Sequence, residues 1–86
     1  MPTISTFLGI VIRMYYRDHF PPHFHAYYQE YEARIVIDRL EIISGHLPRR
    51  ALALVFEWAD LHREELQANW ASAEQRKPLS GIEPLE

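Results

Sequence analysis

Two consecutive prolines, Pro21 and Pro22, set the strongest limit on how this chain can fold. Each fixes φ and removes a backbone donor, so the segment around them cannot lie inside a helix or a central strand. The stretch Asp18-His19-Phe20-Pro21-Pro22-His23-Phe24-His25 therefore reads as a stiff turn feeding a strand. In that strand His23 and His25 alternate with Phe24, which places both imidazoles on one face and the phenyl ring on the other. Three of the five histidines of the chain fall in this one stretch.

Hydrophobic periodicity organises the segments on either side. Residues 6–16 alternate with period two and predict a strand whose Leu8, Ile10, Ile12 and Met14 face a core. Residues 23–28 form a second strand with Phe24, Ala26 and Tyr28 inward. Residues 32–38 form a third with Ala33, Ile35 and Ile37 inward, and residues 41–44 a short fourth that ends at Gly45. Short turns between them describe an antiparallel meander. From Pro48, set at a first helical position, the period changes: Leu52, Val55, Phe56, Ala59, Leu66, Trp70 and Ala73 recur at spacings of three and four. This predicts one amphipathic helix over about 48–76, closed by Lys77-Pro78, with a short tail over 78–86. Unbroken, it would run about 40 Å, more than a four-stranded sheet can cover, so its far end should break away or meet another chain.

The predicted fold is a single α+β domain over residues 1–86, an antiparallel sheet of three or four strands with one long C-terminal helix packed on one face. Its predicted core is Ile10, Ile12, Met14, Phe24, Ala26, Ile35, Ile37, Leu52, Val55, Phe56, Ala59 and Leu66. An 86-residue domain buries only about 60% of the surface its unfolded chain exposes.

Composition removes several classes of chemistry. With no cysteine, neither disulfides, nor a thiolate zinc site, nor a thiol nucleophile is available. Any metal would need histidine and carboxylate ligands. The N-terminus lacks a basic leader, and Arg13 stops the apolar run from Phe7 well short of a membrane span. A soluble, cytoplasmic protein without membrane contact is expected. The net charge of −3 also argues against a strongly basic nucleic-acid binder.

If the helix covers the apolar face of the sheet, the opposite face carries Arg13, Tyr15, His23, His25, Tyr27, Arg34 and Val36. Such a face fits a protein interface, where Tyr and Arg are enriched, or a stacking platform for single-stranded nucleic acid. β-propensity and cross-strand pairing alone would also place such residues there. The negative net charge puts a protein partner, or a second copy of the chain, ahead of nucleic acid.

The histidines admit two chemistries. His19, His23 and His25 are candidate ligands for a divalent metal, because histidines at i and i+2 on a strand can converge on one ion. No other cofactor is called for. Glu30 adds a spacing resembling a cupin metal motif, although a cupin barrel needs about eight strands. Alternatively, His23 and His25 could act as acid and base in metal-free RNA cleavage, with Arg13 or Arg34 stabilising the transition state. His62 falls at the core boundary of the helix and is expected to be packed and hydrogen-bonded. Arg49 and Arg50 occupy the first helical turn, where the macrodipole disfavours cations, so an acidic neighbour or a bound anion is one reading and plain solvation another.

Gly9-Ile10-Val11-Ile12-Arg13-Met14-Tyr15-Tyr16, Pro21-Pro22-His23-Phe24-His25-Ala26 and Leu47-Pro48-Arg49-Arg50-Ala51-Leu52, followed by Glu57-Trp58 and Asn69-Trp70, resemble a small bacterial family catalogued as domain of unknown function family 4160. The resemblance covers essentially the whole chain, and Pro-Pro-His-Phe-His is its specific motif. Members are often encoded beside another small uncharacterised protein, in pairs that look like toxin–antitoxin or regulatory modules. The resemblance thus implies an interaction or regulatory module with a small partner protein, and it identifies no catalytic residue.

Overall fold

The structure, a computed structural model, describes residues 2–86. Five strands and two helices follow one another in the chain: β1 Thr3–Phe7, β2 Ile10–Arg13, β3 His23–Tyr28, β4 Tyr31–Val36, β5 Ile42–His46, α1 Arg49–Leu61 and α2 Arg63–Glu74. The strands form one antiparallel sheet in the order β1-β2-β3-β4-β5. The α+β meander is therefore as expected, while the strand count and the single helix are not.

The strand expected over 6–16 is two strands. Leu8 and Gly9 both have positive φ, 51° and 82°, the requirement of a tight two-residue hairpin turn. Phe7 then pairs with Ile10, and the chain gains an edge strand. Strict alternation would have put Phe7 opposite Ile10; across a hairpin the two point the same way, and both are buried. Leu8, expected inside, sits at the turn and is 61% exposed.

The single long helix is also two. His62 leaves helical geometry at φ −123° and separates α1 from α2, and Pro48 caps α1 rather than opening it. Apolar spacing runs through the break because both helices bury residues in the same core: Ala51, Val55, Trp58 and Ala59 from α1, and Leu66, Trp70 and Ala73 from α2. No helix end is left over to project from the molecule, whose longest dimension is 33 Å. The surplus length that suggested a second chain is absent. Among the described residues no helix is long and apolar enough to cross a membrane.

The inward faces of the strands are as expected: Ile10, Ile12, Met14, Phe24, Ala26, Ala33, Ile35 and Ile37 are all fully buried. Leu52 and Phe56 are only half-buried and pack at the edge of the core. The centre of α1 is instead Trp58, which lies against Phe7 and Phe24. β5 runs to His46 because Gly45, at φ +81°, passes tightly over β4; a Cβ there would stand 2.1 Å from the Glu32 carbonyl oxygen. The segment over 78–86 is built into the fold. Ile82 is buried and its N–H donates to the Ile4 carbonyl at 2.7 Å, while Ser80 and Asn69 exchange two hydrogen bonds at 2.8 and 2.9 Å.

Candidate metal centre

Because Pro21 and Pro22 cannot extend the ladder, the chain leaves the sheet after Arg13 and re-enters it at His23. Residues 15–22 fold back over the strand face opposite the hydrophobic core. Tyr15 lies edge-on against His25 with ring centroids 4.5 Å apart, and Asp18 reaches both histidines. From the other side Trp70 of α2 closes against His23 at 5.4 Å and against Phe20 at 6.0 Å. The imidazoles are consequently not displayed on an open face: His23 is 2% exposed and His25 4%. Phe24 remains inside the core, so the alternation held and the covering of the face is what sequence periodicity did not contain.

The hydrogen-bond pattern at the two rings is short of protons. His23 Nδ1 lies 2.7 Å from the Pro21 carbonyl oxygen, which can only accept, so Nδ1 carries the hydrogen. In the neutral ring Nε2 is then a lone pair, yet it faces Asp18 Oδ2 at 3.1 Å. His25 repeats the conflict: Nδ1 is 3.4 Å from Glu32 Oε2 and Nε2 is 3.1 Å from the same Asp18 Oδ2. Four ring nitrogens face oxygen acceptors, and two neutral imidazoles have two N–H groups between them. Extra protons would reconcile this, and so would a cation lying between Asp18 Oδ2 and the two Nε2 atoms. The ligand atoms of Asp18, His23 and His25 all lie within 4.8 Å of one another. Two ligands about 2.0–2.1 Å from a tetrahedral ion would sit roughly 3.3 Å apart, close to the 3.1 Å from Asp18 Oδ2 to each Nε2.

The distal nitrogens complete a familiar arrangement, in which a metal-binding histidine donates its other N–H to a carbonyl or carboxylate that fixes its tautomer. The Pro21 carbonyl is placed where it would serve His23 in this way, and Glu32 where it would serve His25. Of the expected ligands, His23 and His25 are brought together, but His19 is not. Its ring is exposed, and only its backbone N–H contributes, donating to Asp18 Oδ1 at 2.8 Å. Glu30 is exposed at the turn between β3 and β4 and takes no part. Asp18 is the member of the cluster that sequence reasoning overlooked. The signal was a carboxylate in the same proline-bounded stretch as the histidines; a loop residue has no periodicity to say where it points.

Burial alone would raise the Asp18 pKa. Hydrogen bonds from His25 and the His19 N–H, with the charges of His23 and His25, outweigh it and hold the carboxyl below the ordinary aspartate value. A depressed carboxylate pKa contributes stability that is complete above the unfolded value of about 3.9 and is lost as pH falls through the lower folded value. In chelator-treated protein, the stability difference between wild type and Asp18→Asn should be present at about pH 5 and close below about pH 4. Urea midpoints across pH measure it, and a gap unchanged down to pH 2.5 would contradict this role for Asp18.

The remaining residues of the expected binding face surround the cluster. Arg13 lies over the Tyr27 ring at 5.1 Å, and Tyr15 and Tyr27 share a hydroxyl–hydroxyl hydrogen bond of 2.5 Å. Burial, reinforced by the Tyr15 hydroxyl and the Glu32 charge, pushes the Tyr27 pKa well up and keeps the phenol protonated. Arg34 pairs across the strands with His25 and is exposed. Val36, expected outward, is indeed on the histidine side, paired with His23, but is buried at 3%. Arg49 and Arg50 stand exposed at the start of α1, with no acidic residue in its first turn and no ion pair among the described residues. His62 is half-buried beside Trp58 and bonded to Glu65, as its spacing implied.

Comparison with known proteins agrees with the resemblance seen in the residues. No curated protein and no solved structure matches the chain. The model of a domain of unknown function, DUF4160, matches residues 9–71, a span that contains Asp18, both buried histidines and the whole of the sheet from β2 onward. The chain belongs to that family.

Proposed function

We propose that this protein is a small metalloprotein whose divalent ion is held by Asp18, His23 and His25. The observation that carries this is the convergence of two imidazole Nε2 atoms on one carboxylate oxygen, while both Nδ1 atoms face other oxygens. Two imidazoles and a carboxylate suit zinc or non-haem iron. Three protein ligands leave at least one coordination position open, the hallmark of sites that bind or activate a ligand rather than hold a fold together.

Metal-free RNA cleavage by His23 and His25 is less well supported, because it needs imidazole nitrogens free to face substrate and all four are engaged. A partner protein, suggested by the gene pairing of the family, is compatible with a metal centre but has lost the support of a surplus helix.

Elemental analysis of untagged protein grown with zinc and iron should find close to one metal per chain, and His23→Ala with His25→Ala should remove it. Protein that stays metal-free in supplemented medium, or that keeps its metal without those histidines, would sink the reading.

A further inference from the structure

We infer that the cavity beside this centre takes a tetrahedral oxyanion, a phosphate or a phosphate monoester, bridging the bound cation and the guanidinium groups of Arg17 and Arg34; this rests on the metal reading above. The cavity is a shallow depression open to solvent, about 370 Å³ in volume, and Tyr15, Arg17, Asp18, His25, Tyr27 and Arg34 are among the residues that line it. Two metal ligands therefore form part of its wall, so an open coordination position can face into it.

The charges around the cavity are specific. Neither Arg17 nor Arg34 has a carboxylate partner among the described residues, whose arginine ion pairs are Arg39–Glu41 and Arg63–Asp60. Two acids do reach the cavity, Asp18 and Glu32, and each turns one oxygen to an imidazole, Asp18 Oδ2 to both rings and Glu32 Oε2 to His25. Two carboxylates and two guanidiniums balance one another. A divalent cation then leaves two positive charges beside a cavity whose only uncommitted ionic donors are arginines. A phosphate monoester dianion neutralises that excess and offers separate oxygens to the metal and to each planar, bidentate guanidinium. A carboxylate has one charge and two oxygens, and cannot satisfy all three groups.

Arg17 sits at a turn with φ +55°, as Leu8, Gln29, Leu40 and Arg76 do elsewhere in the fold. It immediately precedes Asp18, so one turn delivers a guanidinium and a metal ligand to the same cavity.

Calorimetry separates the two readings. Zinc alone is titrated into metal-free wild type, and inorganic phosphate is then titrated into zinc-loaded wild type, zinc-loaded Arg34→Gln and zinc-loaded Arg17→Gln, each after its zinc content has been measured. Phosphate should bind the wild type and bind each variant about tenfold more weakly or worse, the size of a charge-assisted contact, and acetate should bind the wild type far more weakly than phosphate. Zinc binding followed by phosphate affinity equal in wild type and both variants overturns the oxyanion site and leaves the metal centre standing. Acetate binding as tightly as phosphate overturns the tetrahedral class. Failure to bind zinc overturns both, because the cation is one of the three contacts.

Discussion

Zinc at a hundredfold excess over its dissociation constant is expected to raise the melting temperature of the metal-free protein by about 10–20 °C. A ligand that binds only the folded state at that excess contributes about 2.7 kcal/mol, and a domain of this size moves about 4–8 °C per kcal/mol. Folding assembles the site: Asp18 comes from the loop over 14–22, and the histidines from β3 under Trp70. The unfolded chain has no such convergence, so little of the effect is offset there. His25→Ala should abolish most of the shift. His19→Ala should keep all of it, because that ring is exposed and its useful backbone N–H survives the substitution. Magnesium, which prefers oxygen ligands and holds its water, should produce little shift. Equal stabilisation of the wild type and the His25 variant would place the zinc elsewhere.

The contrast between His19 and His25 shows what could be read before the structure and what could not. Period-two alternation assigned the inward residues of β2, β3 and β4 because each strand has one buried apolar face. It put His23 and His25 on the same side for the same reason. Alternation is silent about what covers a face. The loop over 14–22 supplies Tyr15, Asp18 and Phe20 by folding back, a long-range event set by its exit from the sheet at the prolines. Local signals were present but outweighed in two further places. Leu8-Gly9 is a hairpin turn, yet the apolar run continues through it with even spacing. At His62 neither Gly nor Pro marks a break, and Leu66, Trp70 and Ala73 continue the apolar spacing because α2 returns to the same core. In the structure the interruption shows in the φ of His62 and in the 68% exposure of Leu61 beside it.

Trp58→Ala should be the most destabilising substitution in the chain. The side chain is the largest of those fully buried, packs 5.4 Å from Phe7 and 5.9 Å edge-on to Phe24, and so joins β1, β3 and α1 at one point. Its Nε1–H donates to the Glu83 carbonyl at 2.8 Å and fastens the C-terminal segment to the core. Removing a buried tryptophan costs about 3–5 kcal/mol, against a total of about 4–13 kcal/mol for a domain of this length. The melting temperature should fall by at least about 12 °C, and a chain of low initial stability should not fold. Trp58→Phe distinguishes packing from the hydrogen bond, since it keeps an aromatic ring in the site and leaves the Glu83 carbonyl without its donor. Removing residues 80–86 frees the same indole N–H and also breaks the pairs of Ile82 with Ile4 and of Ser80 with Asn69. The phenylalanine change should therefore cost less in the truncated chain than in the full one, because the contact it deletes is already gone. Urea melts of the four proteins in this cycle measure the difference, and strict additivity would show that the Trp58–Glu83 bond does not hold the C-terminal segment in place.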